Sequence, residues 1–498
     1  MTTFSISGMI QDNARNRPDK IAITEAATQR SVSWSQLNTN VDKVAGALVA
    51  DGVEYGDRVV YWGHNTIEFF ELYFATSRIG ATFAPLNWNL NDDEAATLLR
   101  DAGARKVVAD PKHASRLTGA LELGDCYNAW RDADAHWSVP AHRRGADVVV
   151  QPYTSGTTGV PKGVMLTNGN IAEFIAASAG LNYDETSAHL LSLPNYHIGG
   201  CVFPLLAVAA DAHIVIVDRF TPASVLDTIE SYAITHINLV PTMIDMVIDE
   251  QERHARDVSS MRLIIYGAAP VNETTVARAS RILGVSLLQE YASTECITIT
   301  ALQPEEHTPN RLRSVGRPFP GVEVQVRGLD NGELLGPGQP GEILVRSAQC
   351  TQGYWHRPKE TANLQAADGF VRTGDLGYVD EDQYLYLTGR VKDMIVTGGE
   401  NIYPAEIEAV LAQHDCVSEV AVVGLPDERW GEIVAAFVVP TEGSGVSDEV
   451  LLTWSHQRLQ GYRRPRRIVM VDKLPRNPTG KIERNMLRTN YSDSGVAL

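Results

Sequence analysis

Short apolar runs alternate with helical patterns through the first two thirds of the chain, and this recurrence restricts the fold more than any other feature. Val41 to Ala50 reads as a helix, with Gly52 just past its end. Arg58 to Trp62 reads as a strand, Glu68 to Ile79 as a helix stopped by Gly80, and Ala81 to Pro85 as the next strand. Lys106 to Ala109 is a further strand, ended by Asp110-Pro111. Ile237 to Val240, Leu263 to Tyr266 and Ser286 to Gln289 repeat the theme. Strands joined through helices form parallel sheets covered on both faces, so the fold class is α/β. In open sheets of this kind ligands bind beyond the carboxyl ends of the strands. The segments that follow these apolar runs are therefore the candidate sites.

The pattern changes after Gly316. Val322 to Val326, Gly341 to Arg346, Val371 to Thr373 and Tyr384 to Thr388 read as short strands separated by Gly-rich turns, a small β-subdomain. From about Lys392 a helix (Pro404 to Gln413), two strands (Val420 to Gly424 and Ile433 to Val439) and a helix (Asp448 to Leu459) suggest a separate α+β unit. With 498 residues, more than one core is expected. The boundary is placed between a large domain, 1–391, and a small one, 392–498.

The formal net charge is −18, a surface that repels nucleic acid and other polyanions. Any anion site must then be built locally from backbone N–H groups and placed cations. The five cysteines, Cys126, Cys201, Cys296, Cys350 and Cys416, contain no CxxC pair, as expected of reduced thiols rather than a disulfide or zinc framework. Asp12, Arg15, Arg17 and Asp19 interrupt the place where an export signal would need an apolar core. The run Gly199 to Val217 contains Pro204, Asp211 and His213 and reads as a buried helix and strand, not a membrane span. A cytoplasmic location without stable membrane insertion is the resulting expectation.

Tyr153-Thr-Ser-Gly-Thr-Thr-Gly-Val-Pro-Lys-Gly163 follows the apolar strand Asp147 to Val150. Gly156 and Gly159 let backbone approach a phosphate chain. Thr154, Ser155, Thr157 and Thr158 supply hydroxyls, and Lys162 supplies a point charge. The segment lacks the G-K-[ST] ending of a Walker A loop. A plain surface loop is the alternative, and the concentration of these residue types at one strand exit weighs against it.

With this loop and the ordered motifs that follow it, the chain resembles the adenylate-forming superfamily of acyl-CoA synthetases, peptide-synthetase adenylation domains and beetle luciferases. The resemblance covers nearly the whole chain. It implies a large N-terminal domain with a β-barrel-like subdomain and a small mobile C-terminal domain. In Gly267-Ala268-Ala269-Pro270, small residues leave room for a flat ring, and the family binds adenine there. In Glu290-Tyr291-Ala292-Ser293-Thr294-Glu295 the resemblance implies that Tyr291 stacks on adenine, Thr294 touches phosphate and Glu295 holds Mg²⁺. Asp375, in Arg372-Thr-Gly-Asp375, would accept from the ribose hydroxyls. Arg390 would contact the nucleotide and Lys392 would be the pivot of the small domain. Lys481, in Pro475-Arg-Asn-Pro-Thr-Gly-Lys481, matches the catalytic lysine, a cation placed between an attacking carboxylate and the α-phosphate.

The acceptor and the acid are the remaining questions. No carrier-protein domain follows in this sequence, so coenzyme A is the expected acceptor, with a stand-alone enzyme loading a separate carrier protein as the alternative. Gly398, Gly399, Trp430 and the arginine cluster including Arg463 and Arg464 would meet coenzyme A. His197, Ile198, Val240, Met243, Ala292, Cys296 and Ile297 would line the acyl pocket. That set is mostly apolar and shows no acidic residue to receive an amino group. The expected function is an AMP-forming acid–CoA ligase using ATP, Mg²⁺ and coenzyme A on a small-molecule acid. A homodimer is compatible with it and a nucleic-acid partner is not.

Overall fold

The computed structural model describes residues 4–133, 145–154, 161–269, 271–476 and 482–492. Two compact units are distinguished: residues 1–324 with 345–372, and residues 325–344 with 373–498. The boundary expected after residue 391 thus falls inside the second unit. Its physical reason is strand pairing: Val371–Val379 and Leu385–Arg390 run antiparallel with Asp375 opposite Arg390.

The first unit is α/β. Its larger sheet has nine strands, in the order Arg317–Pro318, Ile297–Leu302, Ser286–Ser293, Leu263–Gly267, His236–Leu239, Ala188–Leu191, His213–Ile216, Ile21–Glu25 and Ser31–Ser33. The strands from Ser286–Ser293 to Ile21–Glu25 are parallel, and antiparallel strands flank them. A six-stranded sheet carries Arg58–Trp62 at its centre, between Thr82–Pro85 and Ala104–Ala109. The apolar core between them draws Ile23, Ile214, Ile265 and Leu288 from the larger sheet and Val59, Phe83 and Val150 from the smaller. Helix Ile67–Ile79 is buried at every position, capped by Thr66 and ended by Gly80 at φ 78°. Helices Pro222–Tyr232 and Pro241–Arg253 cover the other face of the larger sheet.

One difference from the sequence reading matters for the site. The strand beginning at Ser286 runs to Ser293 rather than ending at Gln289. It pairs on both sides, Glu290 with Gly267 and with Ala301, so Glu290–Ser293 is strand and not loop. The Gly199-to-Val217 run folds as two short helices and a strand, and no described helix is long and apolar enough to cross a membrane.

In the second unit, Gly431–Pro440 is central to a five-stranded sheet and pairs along its length with Val417–Asp427. Helices Pro404–Leu411 and Asp448–Arg458 contribute to the core on one face; Leu487 of helix Arg484–Ser492 packs on the other with Phe437. A four-stranded sheet, Glu323–Arg327, Gly341–Arg346, Val371–Val379 and Leu385–Arg390, stands where the β-subdomain was expected.

Candidate active site

The phosphate-loop expectation begins at Val148–Val150, which delivers the chain to Tyr153–Thr154. That pair runs antiparallel to Lys162–Gly163, with Thr154 directly opposite Lys162. Opposed residues share a face, so the hairpin puts one hydroxyl and one cation side by side at the root of the loop. A Cβ at Gly163 would lie 2.6 Å from Gln151 Nε2, so a larger residue there would have to displace that buried side chain. Ser155, Gly156, Thr157, Thr158 and Gly159, expected to hold the phosphates, lie outside the described residues.

Lys162 Nζ stands 5.1 Å from the centroid of the Tyr354 ring. Backbone fixes that ring: Tyr354 bridges to Val164, and the Trp355 N–H donates to the Gly163 carbonyl at 2.8 Å. The Tyr354 hydroxyl donates to Glu295 Oε1 at 2.8 Å. Thr351 N–H also donates to the Glu295 carbonyl at 2.7 Å. Lys162 and Glu295, 133 positions apart in sequence, are therefore linked through one tyrosine that sequence reasoning missed. The available signal was the aromatic pair Tyr354-Trp355 behind Gly353. Burial, then the neighbouring Glu295 carboxylate, pushes the Tyr354 phenol well above its ordinary range, so it stays a donor.

Glu295 and Thr294 sit in the tight turn between Ser286–Ser293 and Ile297–Leu302. Ser293 Oγ accepts from Cys296 N–H at 3.0 Å, and Ile297 adopts φ 55°. A β-branched residue in the left-handed region is strained, and strain of this kind gathers at sites that need a fixed geometry. With Oε1 paired to Tyr354, the second oxygen of Glu295 is open among the described residues. No group of three His, Cys, Asp or Glu that could hold a metal occurs among them. A single carboxylate fits Mg²⁺, which takes the rest of its shell from phosphate and water.

The other first-unit residues gather at the carboxyl ends of the large sheet. Gly267 ends Leu263–Gly267; a Cβ there would lie 2.7 Å from the Glu290 carbonyl oxygen. Ala268 turns the chain at φ 71°, Ala268 and Ala269 are exposed, and Pro270 lies outside the described residues. Tyr291 and Glu290 point to opposite faces of their strand, as its period of two requires. Ala292 follows beyond a bulge. His197 precedes the short helix Ile198–Cys201, just after Ala188–Leu191; Val240 and Met243 open helix Pro241–Arg253. Ile198 and Ile297 join the first core, and Met243 packs on the second. Cys296 is buried with its Sγ 3.2 Å from Cys350 Sγ. Glu290 is 6% exposed, and burial raises its carboxyl well above the usual range.

In the second unit, Asp375 Oδ1 is 3.0 Å from Arg390 Nε, and its N–H donates to Thr373 Oγ1 at 3.0 Å. Lys392 lies in the turn Val391–Asp393; burial, then the Arg390 charge, lowers its ammonium pKa. Gly398 and Trp430 meet: Gly398 N–H donates to the Trp430 carbonyl at 2.9 Å, and a Cβ on Gly398 would lie 2.8 Å from Tyr462 Cε1. Gly399 continues the turn at φ 84°. Arg463 and Arg464 have internal partners, Glu406 at 3.4 Å and the Leu459 carbonyl at 2.9 Å. The guanidinium groups over the Trp430 ring are those of Arg466 and Arg429, at 4.5 and 4.9 Å. Lys481 lies outside the described residues.

Comparison with known proteins identifies the family. Residues 10–355 match the AMP-binding enzyme family and residues 406–481 match the AMP-binding enzyme C-terminal domain. The chain is 36% identical to an indoleacetate–CoA ligase of Aromatoleum aromaticum, over 97% of this chain and 98% of the relative. It is 35% identical to ScoC, a fatty acid–[acyl-carrier-protein] ligase of Streptomyces coeruleorubidus, over 93% and 92%. The crystal structure of ATP-bound MatB from Rhodopseudomonas palustris superposes with a TM-score of 0.89 at 30% identity, covering 98% of this chain and 99% of that one. A strand-exit hairpin carrying Lys162, a turn carrying Glu295 and a match of this extent lead to one conclusion: the chain belongs to the AMP-binding enzymes, the adenylate-forming superfamily.

Proposed function

We propose that this enzyme is an AMP-forming carboxylic acid–CoA ligase. The observation that carries the reading is the Lys162–Tyr354–Glu295 linkage at the loop hairpin, which sets a cation and a carboxylate on one rigid support. Acid and ATP give acyl-adenylate and pyrophosphate; coenzyme A thiolate then displaces AMP. Lys162 neutralises phosphate charge and Tyr291 holds the adenine ring. Asp375 accepts from the ribose hydroxyls. Mg²⁺, when held by Glu295, would offset charge on the phosphates. Lys481 lowers the repulsion between the carboxylate and the α-phosphate as they approach.

Two chemistries are separated by a turn of the small domain about Lys392, which withdraws Lys481 and brings Gly398 and Gly399 to the thiol channel. Relatives named as CoA ligases favour coenzyme A as acceptor, and Trp430 with Arg429 and Arg466 offers an aromatic and cationic surface for its nucleotide end. ScoC keeps a carrier protein as the second reading. The test uses Lys481→Ala. Adenylation should be abolished while supplied acyl-adenylate is still converted to thioester. Equal loss of both half-reactions contradicts this division of labour.

A further inference from the structure

Adjacent parallel strands of the large sheet fix which side chains share a face. Asn238 stands opposite Ile265, and Ile265 opposite Leu288; one step of the pleat further, Gly267 stands opposite Glu290. Ile265 and Leu288 belong to the first core, so Asn238 and Glu290 face that side as well. Both are deeply buried, at 8% and 6% exposure. Asn238 Oδ1 and Glu290 Oε1 have no hydrogen-bond partner among the described residues. Buried polar atoms are nearly always paired, so two unpaired acceptors on one face can take a donor that a ligand supplies.

Between them lies the strand Leu263–Gly267, whose last residue offers no side chain. Two strand spacings, about 9.5 Å, separate the flanking strands. The position is the carboxyl edge of the sheet, on the strand that also carries Tyr291 and beside Val240.

We infer that Glu290 and Asn238 form a polar wall of the acyl pocket that selects an acid bearing an uncharged hydrogen-bond donor, a hydroxyl or ring N–H, partway along its length. The inference rests on the ligase reading above. Burial raises the Glu290 carboxyl well above its usual range, which disfavours its charged form and with it a charged partner. A donor on the substrate pairs atoms that an alkyl group would leave unpaired, and sites of this type discriminate strongly against the analogue lacking the donor.

The test is ATP–pyrophosphate exchange by the full chain with pairs of acids that differ only in hydroxyl against methyl, the substituent moved stepwise along the acid. At one position the hydroxyl member should be favoured by about a hundredfold or more. Glu290→Leu and Asn238→Leu should each reduce that ratio to about threefold or less. Should Glu290→Leu fail to fold, Glu290→Gln and Asn238→Leu supply the comparison. Preference for the methyl member at every position, an unchanged ratio in the variants, or preference for an ammonium-bearing acid overturns the inference while leaving the ligase reading intact. Absence of exchange with every acid contradicts the ligase reading itself.

Discussion

Tyr354 joins Lys162 to Glu295, and no motif announced it. Its ring faces Lys162 and its hydroxyl holds Glu295. Groups that orient a metal-holding carboxylate typically matter by about 10–100-fold in metal affinity or activity. Tyr354→Phe should lower pyrophosphate release by about that factor at limiting Mg²⁺, with recovery as Mg²⁺ is raised. An unchanged Mg²⁺ dependence would show that the hydrogen bond is incidental. Lys162 and Glu295 could be nominated from the sequence because phosphate chemistry restricts residue type and local spacing. Tyr354 could not, because what identifies it is a backbone bridge to Val164, nearly two hundred positions away. The direction of the Glu290 side chain was not legible either, because the strand was read as ending at Gln289 and in fact runs to Ser293.

At the scale of elements, the strand exits position the chemistry. Gly267 is tied to Glu290 by parallel register, and added volume there must push against the Glu290 carbonyl. Gly267→Ala should cost about 1–3 kcal/mol, as overpacking does, and weaken nucleotide binding together with stability. Urea unfolding and ATP binding measured on the same preparation check this; a neutral effect on both would mean the strand edge yields freely. The alternating helices and strands of the first unit were readable from periodicity, since each buried strand is a short apolar run with turn residues at its ends. Order in the sheets was not, because neighbours such as Ile21–Glu25 and His213–Ile216 are far apart in sequence. The second compact unit begins before residue 391, and Val371–Val379 and Leu385–Arg390 pair across their turn in one sheet.

For the whole molecule, buried histidines tie stability to pH. His189 and His236 are opposed on neighbouring strands, and Tyr183 stacks on His236 and bonds His189 Nδ1 at 2.8 Å. Burial lowers their pKa values to about 3 and about 4. In the unfolded chain a histidine titrates near 6.5, so as pH falls below that value the unfolded state takes up protons that the folded state refuses. Their stabilising contribution is complete above about pH 6.5 and is lost as pH falls toward 4, amounting to about 2 kcal/mol per group by pH 5. Denaturant midpoints at pH 7.5 and pH 5 should differ accordingly, and His236→Gln should narrow the difference; equal pH dependence in the variant would contradict it. Function at this scale is the conversion of an acid, ATP and coenzyme A to a thioester. The most direct measurement is product analysis after incubation of the full chain with Mg²⁺, ATP, coenzyme A and a panel of carboxylic acids. AMP, pyrophosphate and an acyl-CoA in equal amounts are expected with at least one acid; ADP and phosphate, or no nucleotide turnover with any acid, would contradict adenylation as the reaction.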